Sequence, residues 1–193
     1  RPDAANVGKS DSVTSISLVT GTSMAEKIEV TISVNGVDQT RLIEPRTHLI
    51  DFIRDELGLK TARAGCEHGV CGACTVRLDG DIVRGCLVLA VQADGQEVET
   101  IDGASDRGDL VELQAAFHAH NALQCGFCTS GMLITASSLL SEKPDASRAE
   151  VREYMSGNYC RCTGYQSIVD AISEVMDNRR VIASSERSLG DPL

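Results

Sequence analysis

The sequence has no Trp and only three Phe and three Tyr, so aromatic residues make up 3% of its 193 positions. A core must therefore be aliphatic, built from Ile, Leu, Val and Ala, and small domains of that kind often need extra staples. Basic residues are also few: 18 Lys and Arg against 28 Asp and Glu leave a formal net charge of −10. Phosphate recognition needs a concentrated basic surface, so the balance argues against a nucleic-acid partner and favours partners with basic faces. No run approaches the roughly 18 apolar residues of a membrane span, and no charged segment leading into an apolar one marks a signal peptide. The expected location is the cytoplasm. Cysteine, by contrast, is plentiful, with eight residues. In a reducing compartment these are expected as metal ligands rather than disulfides.

The length suits one or two domains, and the patterning suggests two. Residues 1–23 lack periodicity and are expected to be a flexible N-terminal extension. From Lys27 the alternation of Ile28, Val30, Ile32 and Val34 with polar residues predicts a strand. Asn35-Gly36 predicts a tight turn, and a second strand runs from Val37 to about Ile43. Thr47 is expected to cap a helix from about His48 to Leu57, stopped by Gly58. Beyond the cysteine-rich loop, Asp79-Gly80 predicts a hairpin between Thr75–Leu78 and Ile82–Arg84, and Val98–Ile101 a last short strand. A small mixed sheet crossed by one helix thus fits the first domain, residues 24–101.

Residues 102–109 read as a polar linker. After it the period becomes helical: one helix around Leu110, Leu113 and Phe117, a second over Gly126–Leu140 ended by Pro144, a third opened by the capping box at Ser147–Glu150, and a fourth through Ile168, Ile172 and Met176. These give an α+β chain with a helical second domain over 102–180 and a C-terminal tail over 181–193.

Two cysteine quartets carry the chemistry. Cys66, Cys71 and Cys74, spaced C-x4-C-x2-C, with Cys86 after the hairpin, match the spacing that holds a plant-type 2Fe–2S cluster. Gly65, Gly69 and Gly72 let the loop fold with its amides turned inward. A four-cysteine zinc site is the rival, and the glycine-rich spacing favours iron and sulfur. His68 is expected to be an ordinary loop residue, since four thiolates are already present. The second quartet is Cys125 and Cys128, placed at the start of the second helix, with Cys160 and Cys162 in the loop before the fourth. On spacing alone it suits zinc or a second cluster. Gln124 is either a local cap or a cofactor contact. Arg161 is expected either to tune potential or bind a partner's anionic group, or to form a solvent or interface salt bridge. Phe127 and Tyr165 are expected to pack as an apolar shell.

The motifs G-C-E-H-G-V-C-G-A-C at 65–74, Q-C-G-F-C-T at 124–129 and N-Y-C-R-C-T-G-Y at 158–165, with Cys86, resemble the small iron–sulfur subunit of molybdenum hydroxylases, the xanthine dehydrogenase and carbon monoxide dehydrogenase superfamily. The likeness spans roughly residues 25–180 and includes all eight ligand positions. It implies a β-grasp ferredoxin-like domain followed by a four-helix domain, two 2Fe–2S clusters, and Gln124 as a molybdopterin contact. It also implies a large molybdopterin-binding subunit and a medium FAD-binding subunit, assembled as a dimer of heterotrimers. The cluster of Cys125, Cys128, Cys160 and Cys162 would lie nearer molybdenum and the other nearer FAD, with electrons passing between them. The alternatives are a freestanding two-cluster ferredoxin and a zinc-stabilised interaction module.

Overall fold

The computed structural model of the chain describes residues 26–189, with side chains through residue 185. The expected N-terminal extension lies outside the described residues. Strand β1 (Ile28–Val34) pairs antiparallel with β2 (Val37–Ile43) across the Asn35-Gly36 turn, whose φ values of 54° and 79° are those of a tight hairpin. Val30, Ile32 and Val34 are buried, as the alternation predicts, whereas Ile28 at the strand's beginning stays exposed. Helix α1 (Leu49–Asp51) continues as a π-helical turn over Phe52–Glu56. Its capping position is His48, without a side-chain bond, rather than Thr47. The Thr47 carbonyl instead accepts the Ala90 amide at 2.8 Å, which pins the helix entry to the far loop.

Strands β3 (Thr75–Leu78) and β4 (Asp81–Arg84) form the expected hairpin, and β5 (Glu97–Glu99) enters between β1 and β3. The sheet order is β2-β1-β5-β3-β4, with β1 and β5 parallel and the other neighbours antiparallel. Its buried face covers Leu49, Ile50, Phe52 and Ile53 in one aliphatic core.

The stretch expected to be a linker is largely helical. Helix α2 (Ile101–Asp106) begins directly after β5, because the Thr100 hydroxyl accepts the Asp102 amide and caps it. Four longer helices follow: α3 (Val111–Ala119), α4 (Thr129–Glu142), α5 (Arg148–Met155) and α6 (Gln166–Leu189). They enclose a second core around Phe117, Met132, Ile134, Leu139 and Ile172. Helix α4 starts three residues later than Gly126, and α6 continues beyond residue 180, where a tail was expected.

The two parts pack directly, since α4 lies against β3 and β4 and Ile82 of β4 reaches the helical core. Glu99 on β5 pairs with both Arg77 of β3 and Arg107 after α2. Arg77 also donates to the Ser137 hydroxyl of α4 at 2.5 Å. No described helix is long and apolar enough to cross a membrane.

Candidate iron–sulfur centres

The first quartet is assembled by the β3–β4 hairpin and the loop that enters it. Thr75 pairs with Arg84, so Cys74, just before β3, and Cys86, just after β4, meet as buried neighbours. Burial, the largest influence, pushes the Cys74 thiol up to about 11. Cys66 and Cys71 lie at the outer end of the loop, half-buried. Gly69 and Gly72 hold φ of 84° and 74°, a region that L side chains avoid, which lets the chain curl around Cys66. The Cys71 amide donates to the Cys66 sulfur at 3.3 Å. That amide first, then the His68 and Val70 amides, bring the Cys66 thiol down to about 6. The loop therefore turns N–H groups toward its sulfur, as the glycine spacing predicts.

The second quartet is built from two loops of the helical part. Cys125 lies ahead of α4 rather than on it, and Cys128 is the residue that precedes its first turn. The turn at Gly126, with φ of 77°, separates them. Cys160 and Cys162 lie between α5 and α6. The Cys162 and Cys125 sulfurs are 3.5 Å apart, and the Cys128 and Cys160 thiols are likewise within hydrogen-bonding reach. Burial pushes Cys128 up to about 12. At Cys160 burial acts in the same direction, but the Thr163 hydroxyl at 3.1 Å and amide at 3.4 Å outweigh it and lower the thiol. Cys125 is lowered chiefly by the Phe127 amide.

Each quartet is thus arranged as two close pairs: Cys66 with Cys71 and Cys74 with Cys86, then Cys125 with Cys162 and Cys128 with Cys160. Two pairs per site suit a binuclear group, for which thiolates and inward amides are the fitting donor set.

The remaining sequence candidates fall into place around these pairs. Gln124 is exposed, and its Nε2 donates to the Cys162 carbonyl at 3.1 Å, bridging the two loops of the second quartet. His68 is exposed and its Nδ1 bonds the Cys66 carbonyl, so the ring serves its own loop. Arg161 is exposed and forms no ion pair within the chain among the described residues, which leaves its guanidinium open to solvent or to a partner. Tyr165 does more than pack: its hydroxyl accepts the Cys160 amide at 2.9 Å. Phe127 is 45% exposed rather than enclosed, and a β-carbon at Gly65 would sit 3.3 Å from its ring.

The two quartets also touch through residues that spacing does not flag. The Tyr159 amide donates to the Cys71 carbonyl at 2.8 Å. Asn158, 1% exposed, donates from Nδ2 to the Gly72 carbonyl at 3.2 Å, while its Oδ1 accepts from Thr135 at 3.1 Å and from Arg84 at 3.4 Å. Arg84 also donates to the Gly157 carbonyl at 2.7 Å. A polar residue two places before a cysteine has no periodic signature. Only its position in the quoted motif N-Y-C-R-C pointed toward it.

Two domain families match the chain: a 2Fe-2S iron-sulfur cluster binding domain over residues 32–108 and a 2Fe-2S binding domain over residues 100–173. The small subunit of nicotine 6-hydroxylase from Paenarthrobacter nicotinovorans is 48% identical over 154 residues, covering 80% of this chain and 93% of that one. Subunit gamma of caffeine dehydrogenase from Pseudomonas sp. (strain CBB1) is 47% identical over 160 residues, covering 81% and 96%. The chain belongs to the small iron–sulfur subunits of the molybdenum hydroxylases. Among solved structures, quinoline 2-oxidoreductase from Pseudomonas putida 86 contains a chain superposing with a TM-score of 0.73 at 48% identity, covering 80% of this chain and 97% of that one. In aldehyde oxidoreductase from Desulfovibrio gigas the match takes up 17% of a longer chain, with a TM-score of 0.71 and 41% identity. The family accounts for the β-grasp sheet, the helical part and the two 2Fe–2S sites in one small chain.

Proposed function

We propose that this chain is the electron-transfer subunit of a multi-subunit molybdenum hydroxylase, with Cys66, Cys71, Cys74 and Cys86 holding one 2Fe–2S cluster and Cys125, Cys128, Cys160 and Cys162 the other. The observation that carries the assignment is the pairing of thiols within each quartet together with the direct contact between the quartets. When bound, a 2Fe–2S cluster accepts and releases single electrons at a potential set by its surroundings. The residues of this chain set those surroundings: amides of the Cys66 loop and Thr163 donate to sulfur, and burial of Cys74 and Cys86 limits water. The backbone from Cys160 to Tyr159 and the single hydrogen bond from Tyr159 to Cys71 join the two ligand sets.

In this account residues 24–101 and 102–180 are the two modules, one quartet in each, and the family matches over 32–108 and 100–173 support that division. The partners are a large molybdopterin-binding subunit and a medium FAD-binding subunit, in a dimer of heterotrimers in the cytoplasm. Gln124 is the residue we assign to the pterin contact, and its exposure beside Cys125 and its bond to the Cys162 carbonyl support that reading. A freestanding ferredoxin is less well supported, because the relatives are named as subunits.

The test is purification through this chain followed by cofactor analysis and electron paramagnetic resonance (EPR). Molybdenum and flavin should co-purify. Cys71→Ser should remove one reduced-cluster signal and Cys128→Ser the other. Survival of both signals in either variant would break the ligand assignment.

A further inference from the structure

A side-chain amide with both ends engaged in the interior is costly to place and costly to disturb, since an unpaired buried donor forfeits its hydration. Asn158 is such a group, and its bonds divide unequally between the two modules. The oxygen accepts from Thr135 of α4 and from Arg84 of β4, which fixes the rotation of the amide. The nitrogen then points across to the Gly72 carbonyl, 86 residues earlier, between the first-site residues Cys71 and Cys74. Gly72 is shaped to receive it: a β-carbon there would lie 2.7 Å from Nδ2 and 2.8 Å from Cγ of Asn158. The amide occupies the space that any other residue at position 72 would fill. Two residues beyond Asn158 is Cys160 of the second site, and the residue between them donates its amide to Cys71.

Resting on the assignment of the two quartets as cluster ligands, we propose that Asn158 is a positioning residue for electron passage between the sites. Its amide locks the Cys71–Cys74 loop of the first site in one orientation and separation relative to Cys160 of the second. A role limited to fold stability would be met by any well-packed residue. Positioning requires the donor that faces Gly72.

The test uses the complex purified through the full chain carrying Asn158→Asp. This variant keeps the size of the side chain and an oxygen for Thr135 and Arg84, but sets a carboxylate oxygen against the Gly72 carbonyl. Low-temperature EPR of dithionite-reduced samples reads the spin–spin splitting between the two clusters. The expected result is retention of both cluster signals at wild-type iron content with loss of the resolved splitting. Both signals with wild-type splitting would overturn the proposal, even if the unfolding temperature fell. So would a wild-type complex that holds both clusters and shows no splitting. Should Asn158→Asp fail to load, Thr135→Val decides: it preserves shape and removes the hydroxyl that orients the amide, and it should weaken the splitting, whereas an unchanged splitting overturns the proposal. A wild-type complex without cluster absorption would instead defeat the ligand assignment itself.

Discussion

Gly131 shows how one residue can join two modules. It lies in the first turn of α4, where an Ala would ordinarily add about 1 kcal/mol of helix stability. Here a β-carbon would fall 2.1 Å from the Gly72 carbonyl oxygen and 3.3 Å from Cα of Ala73. Those neighbours are backbone of a tightly bonded loop, so they have little room to give. Gly131→Ala should therefore lower stability by about 1–3 kcal/mol, the cost typical of overpacking. Thermal unfolding of the cluster-loaded chain reads the sign, and a rise in midpoint would mean that α4 does not press on the first site. Spacing alone pointed to Cys66, Cys71, Cys74 and Cys86 and left the second quartet open between zinc and a cluster, because ligand chemistry constrains sequence only locally. Gly131, Asn158 and Arg84 were not legible, because their partners lie far away in the chain and no period links them.

At the scale of elements, strands and hairpins were read closely because alternation and Asn-Gly or Asp-Gly turns are short-range signals. Helix beginnings were read less well where a tertiary bond competed. Thr47 offered a capping side chain, but its carbonyl was already directed to Ala90, and His48 took the position. Residues 102–109 looked like a linker by composition, yet the Thr100 cap and the packing of Ile101 and Ala104 into the core make most of them a helix. The capping box of α5 formed as expected: Ser147 accepts the Glu150 amide, and the Glu150 carboxylate accepts the Ser147 amide at 2.7 Å. That amide first, then the Ser147 hydroxyl, holds the Glu150 carboxyl below its ordinary value of 4.5. A depressed carboxylate stabilises the fold above its unfolded pKa, and the contribution disappears as pH falls through the folded value. Wild type should thus be more stable than Glu150→Gln at pH 7, with the gap closing below about pH 4.5. An equal gap at pH 7 and pH 3, measured by unfolding midpoints, would deny the carboxylate this role.

For the whole molecule, the scarcity of aromatics has a structural counterpart: two modest aliphatic cores, each with one fully buried ring, Phe52 in the first and Phe117 in the second. Polar contacts join them: Glu99 with Arg107, Arg77 with Ser137, and Asn158 with Gly72. The two quartets lie on either side of this junction rather than at opposite ends of the chain. Such placement suits a relay, in which the protein contributes separation, shielding and amides directed at sulfur.

Two 2Fe–2S clusters in this one chain can be counted directly, by iron and sulfide analysis combined with EPR of the dithionite-reduced complex. The expected result is about four iron atoms per chain, two for each cluster, and two distinguishable signals of equal weight. A colourless chain with zinc in place of iron, or one that gives a single signal with half the iron, would contradict it.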